Sequence, residues 1–240
     1  MKQRLIIKTG EPHAEVQAEH GNFEQWIVRE LGGDAAAWSV VDVTGGEALP
    51  AVAEVAGAII TGSPAMVSDR ADWSEEAAAW LRAAHAAKVP LLGICFGHQL
   101  LAHALGGEVG YHPGGPEVGT VTVARQPAAA GDALFDAMPA QFAAQVLHWQ
   151  SVLRLPPGAS VLAANAFEPH HAFRVGNSWG VQFHPEFDTA ATVSLLEVLA
   201  PALQQAQLSV TALRDAVCPT PEAAGLLQRF AAVLAQPAAV

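Results

Sequence analysis

The chain has 240 residues, 51% of them hydrophobic, which is long enough to bury a substantial core. Twelve basic residues against 23 acidic ones give a formal net charge of -11. Because an acidic surface repels phosphate backbones and anionic lipids, we expect neither nucleic acid nor a membrane surface as a partner.

Cysteine usage favours a reducing compartment, and the hydropathy of the chain predicts neither a signal peptide nor a membrane span. Cys95 and Cys218 are the only two cysteines, too few for a disulfide framework. The first residues, MKQRLIIKTGEPH, contain too short an apolar stretch for a signal peptide, and no window approaches the ~18 consecutive apolar residues of a membrane span. We therefore expect a soluble cytoplasmic protein.

The first half of the chain alternates predicted strands with predicted helices. Asn22 is placed as the N-cap of the first helix. The predicted elements are, in order, strand RLIIK, helix NFEQWIVREL, strands WSVVDV and GAIIT, helix DWSEEAAAWLRAAHAAK, strand VPLLGIC and helix FGHQLLAHALGG. Continuously apolar strands separated by helices predict a parallel sheet covered on both faces, with the ligand crevice at the carboxyl ends of its strands.

The second half predicts closely spaced strands separated by Pro and Gly turns. The strand-like runs are GTVTVA, AQVLHWQ, SVLAANA, HHAFRVG and WGVQFHPEF. They predict antiparallel strands that either extend the main sheet or form a small side sheet. The run TAATVSLLEVLAPALQQA predicts a helix that Pro201 bends or ends, and a last amphipathic helix is broken near Cys218–Pro221.

Cys95 lies in a G-x-C-x-G motif between a predicted strand and a predicted helix. So tight a turn crowds the residues two before and two after its centre, and Gly93 and Gly97 relieve that crowding. The helix N-terminus favours a thiolate, and the N–H of Phe96 points to where an oxyanion would form. A buried, inert cysteine is the alternative. The two glycines and both flanking elements favour a nucleophile.

Among the ten histidines, His184 is the best candidate for a general base. In extended structure, residues 184 and 186 share a side, so Glu186 can reach the His184 ring across Pro185 and fix its tautomer. The alternative is a solvated strand end. The remaining histidines considered are His85 and His103 on predicted helices, His13, His20 and His112 in loops without an obvious partner, and His170 and His171, which face opposite sides of a strand.

Together, GICFGHQL and GVQFHPEF resemble the class I glutamine amidotransferase family, the type with a Cys-His-Glu triad. The resemblance implies a flavodoxin-like α/β fold, mostly parallel with antiparallel strands in the second half, in a single domain over residues 1–240. It implies cleavage of the side-chain amide of glutamine through a Cys95 thioester, with His184 as base and Glu186 as its orienting acid. It implies no cofactor and no metal.

The same resemblance assigns further residues to the site. Gln99 matches the family's glutamine-contacting position. TGSP matches the oxyanion loop, with Gly62 retained and Ser63 at the usual second glycine; serine can supply the backbone N–H if its backbone angles permit. The segment LHWQS departs from the His-Gly-Asp signature of GMP synthetases, and we expect His148, Trp149, Gln150 and Ser151 to line the pocket, with a structural role for His148 as the alternative.

Several functions remain open from the sequence. The loops and the lack of a fused synthetase or P-loop resemble the free-standing branch, which is similar to the γ-glutamyl peptidases. The substrate is then glutamine or another γ-glutamyl small molecule, with or without a separate synthetase or acceptor subunit. A non-catalytic regulatory protein on this fold is a further alternative. A metal hydrolase using His170, His171, His184 and Glu186 has the least support, because the cysteine motif would go unexplained.

Overall fold

The structure is a computed structural model that describes residues 2–33 and 35–235. The strands of this part of the chain are β1 (Gln3–Lys8), β2 (Trp38–Asp42), β3 (Val55–Ile60), β4 (Leu91–Ile94), β5 (Glu108–Tyr111), β6 (Glu117–Arg125), β7 (Gln141–His148), β8 (Gln150–Arg154), β9 (Ser160–Ala164), β10 (Ala172–Val175) and β11 (Ser178–Val181). The α-helices are α1 (Ala14–His20), α2 (Phe23–Leu31), α3 (Asp72–Ala86), α4 (Phe96–Ala104), α5 (Thr189–Val198), α6 (Ala200–Gln205), α7 (Val210–Asp215) and α8 (Pro221–Ala235).

The main sheet of the described residues has nine strands in the order β2-β1-β3-β4-β11-β10-β9-β6-β7. Its first five strands run parallel, and the strands from β11 to β7 pair antiparallel. The fold is therefore α/β with a mostly parallel sheet, as the sequence predicts. The order β2-β1-β3-β4 is that of a flavodoxin-like sheet, which binds ligands where the strand order reverses beside β1 and β3.

The alternating side chains of the parallel strands build a core on each face of the sheet. Leu5 and Ile7 of β1 pack in one buried cluster with Leu100 of α4. Ile6, between them, packs in the opposite cluster with Phe230 of α8. Because strand side chains alternate between faces, a strand buried on both sides is continuously apolar. The helices thus cover both faces, as predicted.

The second half of the chain adopts both of the arrangements that the sequence left open. Strands β6, β7, β9 and β10 extend the main sheet, while β5 and β8 form a separate two-stranded antiparallel sheet. The run WGVQF is the exception, because β11 pairs antiparallel with β10 on one side and parallel with β4 on the other. A helix break falls at Leu199, next to Pro201, and the last helical region is broken between α7 and α8.

Helix α1 was not predicted from the sequence. It is seven residues long, and Val16 is its only buried residue. A helix with a single buried side chain shows no repeating apolar face, so periodicity does not reveal it. No helix in residues 2–33 or 35–235 is long and apolar enough to cross a membrane.

The turn between β4 and α4 holds Cys95 in a strained backbone conformation, with φ 49° and ψ -101°. A Cβ on Gly93 would lie 2.3 Å from the carbonyl oxygen of Gly97. A Cβ on Gly97 would lie 2.4 Å from the carbonyl oxygen of Ile60. Both glycines of the motif are therefore required by the close approach of backbone, as the G-x-C-x-G spacing predicts.

We expect Gly97→Ala to lower the free energy of unfolding by about 3 kcal/mol, because the added methyl group meets rigid backbone of β3. Gly45→Ala is the matched control: Gly45 lies in an exposed turn, where a Cβ would be 3.5 Å from its nearest neighbour. Urea denaturation measures both, and equal stabilities of the two variants would contradict the packing argument.

Candidate active site

Cys95, His184 and Glu186 lie together at the carboxyl ends of β4 and β11. Nδ1 of His184 lies 2.8 Å from Oε1 of Glu186, and the charges of Glu186 and Cys95 both act on the His184 ring. The Sγ of Cys95 is also 3.7 Å from the Leu147 carbonyl oxygen. A thiol, an imidazole and a carboxylate in this arrangement are able to perform covalent acyl transfer.

The contact between His184 and Glu186 does not arise from the extended geometry that we predicted. Strand β11 ends at Val181, and Pro185 and Glu186 form a turn in which the Phe187 N–H approaches the His184 carbonyl oxygen at 3.5 Å. The His184 N–H donates to the Gln145 carbonyl oxygen at 2.8 Å, which fixes the base to β7. The turn, not strand alternation, brings the carboxylate to the ring.

Charge around His184 favours its protonated form. Burial by itself lowers the pKa of this imidazole, but the charges of Glu186 and Cys95 overcome that effect and raise the pKa to about 10. The Glu186 side chain is fully buried, and its Oε2 has no hydrogen-bond partner among the described residues. An imidazolium between a carboxylate and a sulfur stabilises negative charge on that sulfur.

The loop after β3 is fixed by two buried threonines. The Thr9 hydroxyl lies 3.0 Å from the Thr61 carbonyl oxygen and 3.1 Å from that of Gly62. Gly97 donates its N–H to the same Thr61 oxygen at 3.1 Å, which joins the loop to α4. Because a trans peptide points its C=O and N–H in opposite directions, fixing the Gly62 oxygen on Thr9 turns the Ser63 N–H the other way.

Gly62 lies directly against His184 and Cys95. A Cβ there would be 2.9 Å from Cε1 of His184 and 3.8 Å from Cβ of Cys95. Ser63 is not among the described residues with positive φ, so a serine fits the second glycine position without strain. Within the described chain, the N–H groups of Phe96, Gly62 and Ser63 have no hydrogen-bond acceptor. They are therefore available to an oxyanion.

A cavity of about 570 Å³ opens onto the Cys95 sulfur. Of the predicted substrate-binding residues, Gln99, His148, Trp149 and Gln150 line it. Ser151 does not: it is fully buried on β8, opposite Gly110 of β5. Because alternate residues of a strand face opposite sides, Ser151 points away from the side that Gln150 faces.

The polar side chains of that segment are mostly engaged within the protein. The Gln99 amide donates to the Gln150 carbonyl oxygen at 2.6 Å and to the Gln182 side chain at 3.0 Å. The Gln150 side chain binds Ser68 through its amide nitrogen and its oxygen. Gln99 and Gln150 therefore brace the cavity wall, and the side-chain oxygen of Gln99 is the group left to meet a ligand.

His148 and His171 share one buried carboxylate. Nε2 of His148 is 3.1 Å from Oε2 of Glu117, and Nε2 of His171 is 3.2 Å from the same oxygen. Burial raises the pKa of Glu117, but His148, His171 and Asn165 outweigh it and hold the pKa well below its usual range. Since Nδ1 of His148 contacts the Gln150 carbonyl oxygen, both of its nitrogens are used structurally.

The other histidines have separate partners. His170 contacts the Val152 carbonyl oxygen and precedes β10, so it is not on the strand that we predicted. His20 ends α1 and lies 2.9 Å from the Ser194 hydroxyl, and His112 stacks on Phe167 at 4.1 Å; the expectation that neither has a partner is wrong. In the described part of the chain, no group of three or more His, Cys, Asp or Glu is arranged to hold a metal ion.

Sequence reasoning missed much of the cavity wall. The residues that it did not assign to the site include Glu11, His13, Phe23, Met66, Tyr111, Phe187, Leu195, Leu199 and Ala202. Phe187 stacks on the His184 ring, with the ring centroids 3.8 Å apart. Its position directly after Glu186 is the one signal that could have identified it. The others come from distant elements whose convergence the sequence does not show.

The model of the class I glutamine amidotransferase family matches residues 18–197. The chain belongs to the class I glutamine amidotransferase family. The predicted family and fold are thereby confirmed, and the match includes Cys95, His184 and Glu186.

Two curated proteins illustrate what this amidotransferase-family chain is similar to. It is 41% identical over 143 residues to a glutamine-hydrolysing GMP synthase of Aeropyrum pernix, a match that spans 59% of the chain and 25% of the relative's length. It is 26% identical over 194 residues to gamma-glutamyl peptidase 4 of Arabidopsis thaliana, spanning 78% of the chain and 77% of that protein. The chain thus corresponds to one quarter of the first relative and to most of the second.

Solved structures share the whole architecture. A glutamine amidotransferase of Thermotoga maritima superposes with a TM-score of 0.77 at 19% identity, covering 99% of this chain and all of the other. At that identity the likeness shows a common fold. It extends beyond residues 18–197 to the helices at the C-terminal end.

We expect the stability of the protein to fall between about pH 6.5 and pH 10, because the folded state raises the pKa of His184 to about 10. A raised folded pKa stabilises the protein fully below the unfolded value, and this contribution is lost as the pH rises through the folded value. Glu186→Gln removes the largest cause of the increase and is expected to flatten this slope, measured by urea denaturation at a series of pH values.

Glu54→Gln, at an exposed carboxylate far from the site, is the control and is expected to keep the wild-type slope. Parallel pH profiles for the wild type and Glu186→Gln would contradict the assignment of the proton to His184.

Proposed function

We propose that this chain hydrolyses the amide of a γ-glutamyl compound through a thioester on Cys95. The observation that carries the proposal is the buried grouping of Cys95 and His184 against Gly62, with Glu186 2.8 Å from the His184 ring and unpaired backbone N–H groups beside them. The family supports the reaction class, and the chain resembles relatives named for glutamine hydrolysis and for γ-glutamyl peptide cleavage.

The reaction has two half-reactions. The Cys95 thiolate attacks the γ-carbonyl carbon, and the N–H groups of Phe96 and of the Gly62–Ser63 loop bind the oxyanion, each donor being worth roughly 3 kcal/mol. The C–N bond breaks as His184 gives its proton to the departing nitrogen. Water then attacks the thioester carbonyl, His184 accepts a proton from it, and the C–S bond breaks to release glutamate and the thiolate.

We favour hydrolysis without a partner over a subunit that delivers ammonia to a synthetase. The match with the γ-glutamyl peptidase extends over 194 residues of alignment, whereas that with the GMP synthase extends over 143. The triad geometry also argues against a purely regulatory role, because a non-catalytic protein has no need of a strained cysteine facing a buried imidazole.

The test measures glutamate release from L-glutamine and from γ-glutamyl amides by the purified chain alone. We expect turnover without a partner, and a loss of at least about 10³-fold in Cys95→Ala, because the covalent pathway is then closed. Cys218→Ala is the matched control at the other, exposed cysteine and is expected to keep full activity.

Glutamate release that persists in Cys95→Ala would remove the nucleophile from the proposal. Activity that requires an added synthetase would instead favour the ammonia-delivering subunit.

A further inference from the structure

The position of His184 identifies the side of the cavity that receives the leaving amine. A base that protonates the departing nitrogen must lie next to that nitrogen, so the leaving group occupies the His184 side of the sulfur. That side is aromatic: Phe187 stacks on the His184 ring at 3.8 Å, and Phe23 stacks on Phe187 at 6.1 Å. Leu195 belongs to the same buried cluster as these two phenylalanines.

The same wall continues along the end of α5 and into α6. Its members share an apolar side chain and line the cavity, and we call them the amine wall: Phe23, Trp149, Phe187, Leu195, Leu199 and Ala202. Polar lining residues come from other segments: Glu11 and Ser63 from the loops after β1 and β3, Gln99 from α4, and His148 and Gln150 from the adjoining ends of β7 and β8. The lining that Phe187 and the helices α2, α5 and α6 contribute is apolar.

The size of the cavity points in the same direction. A volume of about 570 Å³ lies within the roughly 300–1,000 Å³ that accommodates drug-sized ligands. When glutamine is the substrate, the leaving group is ammonia, which has no apolar part to contact the amine wall. No lysine or arginine of the described chain lines the cavity, so its surface offers no side-chain cation other than histidine to an amine that carries its own carboxylate.

We propose that the physiological leaving group is an apolar primary amine with no charged group besides its amine. The substrate is then a γ-glutamyl amide of an aliphatic or aromatic monoamine. The proposal rests on the function proposed above and adds its substrate class. The γ-glutamyl group is transferred from the amine nitrogen to the Cys95 sulfur and then to water. The apolar amine departs with the proton from His184.

The test compares three donors with the wild-type chain: L-glutamine, γ-glutamylmethylamide and γ-glutamylbenzylamide. The last two are both amides of primary amines and differ in apolar size. The benzyl group can bury more apolar surface against the amine wall than a methyl group or ammonia can. We therefore expect kcat/KM for the benzylamide to be at least about tenfold higher than for the methylamide and at least about tenfold higher than for glutamine.

Two leucines provide a matched pair of variants. Leu199 and Leu208 are both partly buried and pack on the same apolar cluster, but only Leu199 is among the residues that line the cavity. We expect Leu199→Ala to reduce the ratio of kcat/KM for the benzylamide to that for the methylamide about fivefold or more, whereas Leu208→Ala keeps the wild-type ratio.

Each outcome decides the proposal. A benzylamide-to-methylamide ratio near one in the wild type overturns it, and so does an equal effect of the two leucine variants. If Leu199→Ala does not fold, the wild-type ratio alone decides. Turnover of glutamine without a preference for the benzylamide refutes the substrate class and keeps the proposed hydrolysis, whereas release of glutamate from none of the donors refutes both.

Discussion

The tight turn between β4 and α4 is the constraint on which the site depends. It forces Cys95 to a φ of 49° and a ψ of -101°, a conformation that few residues adopt, and it does so by bringing the backbone at Gly93 and Gly97 too close together for any side chain. Cys95 is thereby held at the N-terminus of α4, where it lines the cavity. The energy of this strain is offset by the buried apolar contacts of β4 and α4 on both faces of the sheet.

Parallel strand order then brings the other groups to that sulfur. The ends of β1, β3, β4 and β11 lie next to one another, so the Thr9 hydroxyl, the Gly62–Ser63 loop, Cys95 and His184 meet at one edge although the chain separates them widely. The antiparallel extension adds a second support, because Gln145 of β7 holds the backbone of His184. The mixed sheet is therefore what makes a distant histidine available to the cysteine.

The sequence predicted those parts of the molecule whose cause is local. The glycines around Cys95 indicate a close backbone approach that excludes side chains. The short spacing of His184 and Glu186 permits contact through a turn as well as through a strand. The pair was therefore predicted correctly as a contact, but its backbone geometry was not. The amine wall could not be found in this way. Phe23, Leu195 and Leu199 read as ordinary apolar face residues of helices, and only tertiary packing directs them to a cavity, with Phe23 and Leu195 in one buried cluster and Leu199 against another.

The central claim is that Cys95 and the protonated His184 act as one charged pair, and the rate of thiol alkylation by iodoacetamide at pH 6.5 tests it most directly. Cys218, which is exposed, serves as the reference within the same molecule. We expect Cys95 to react faster than Cys218 although only 6% of it is exposed, and we expect this excess to disappear in His184→Gln. Preferential labelling of Cys218 in the wild-type protein, followed peptide by peptide with mass spectrometry, would contradict the account.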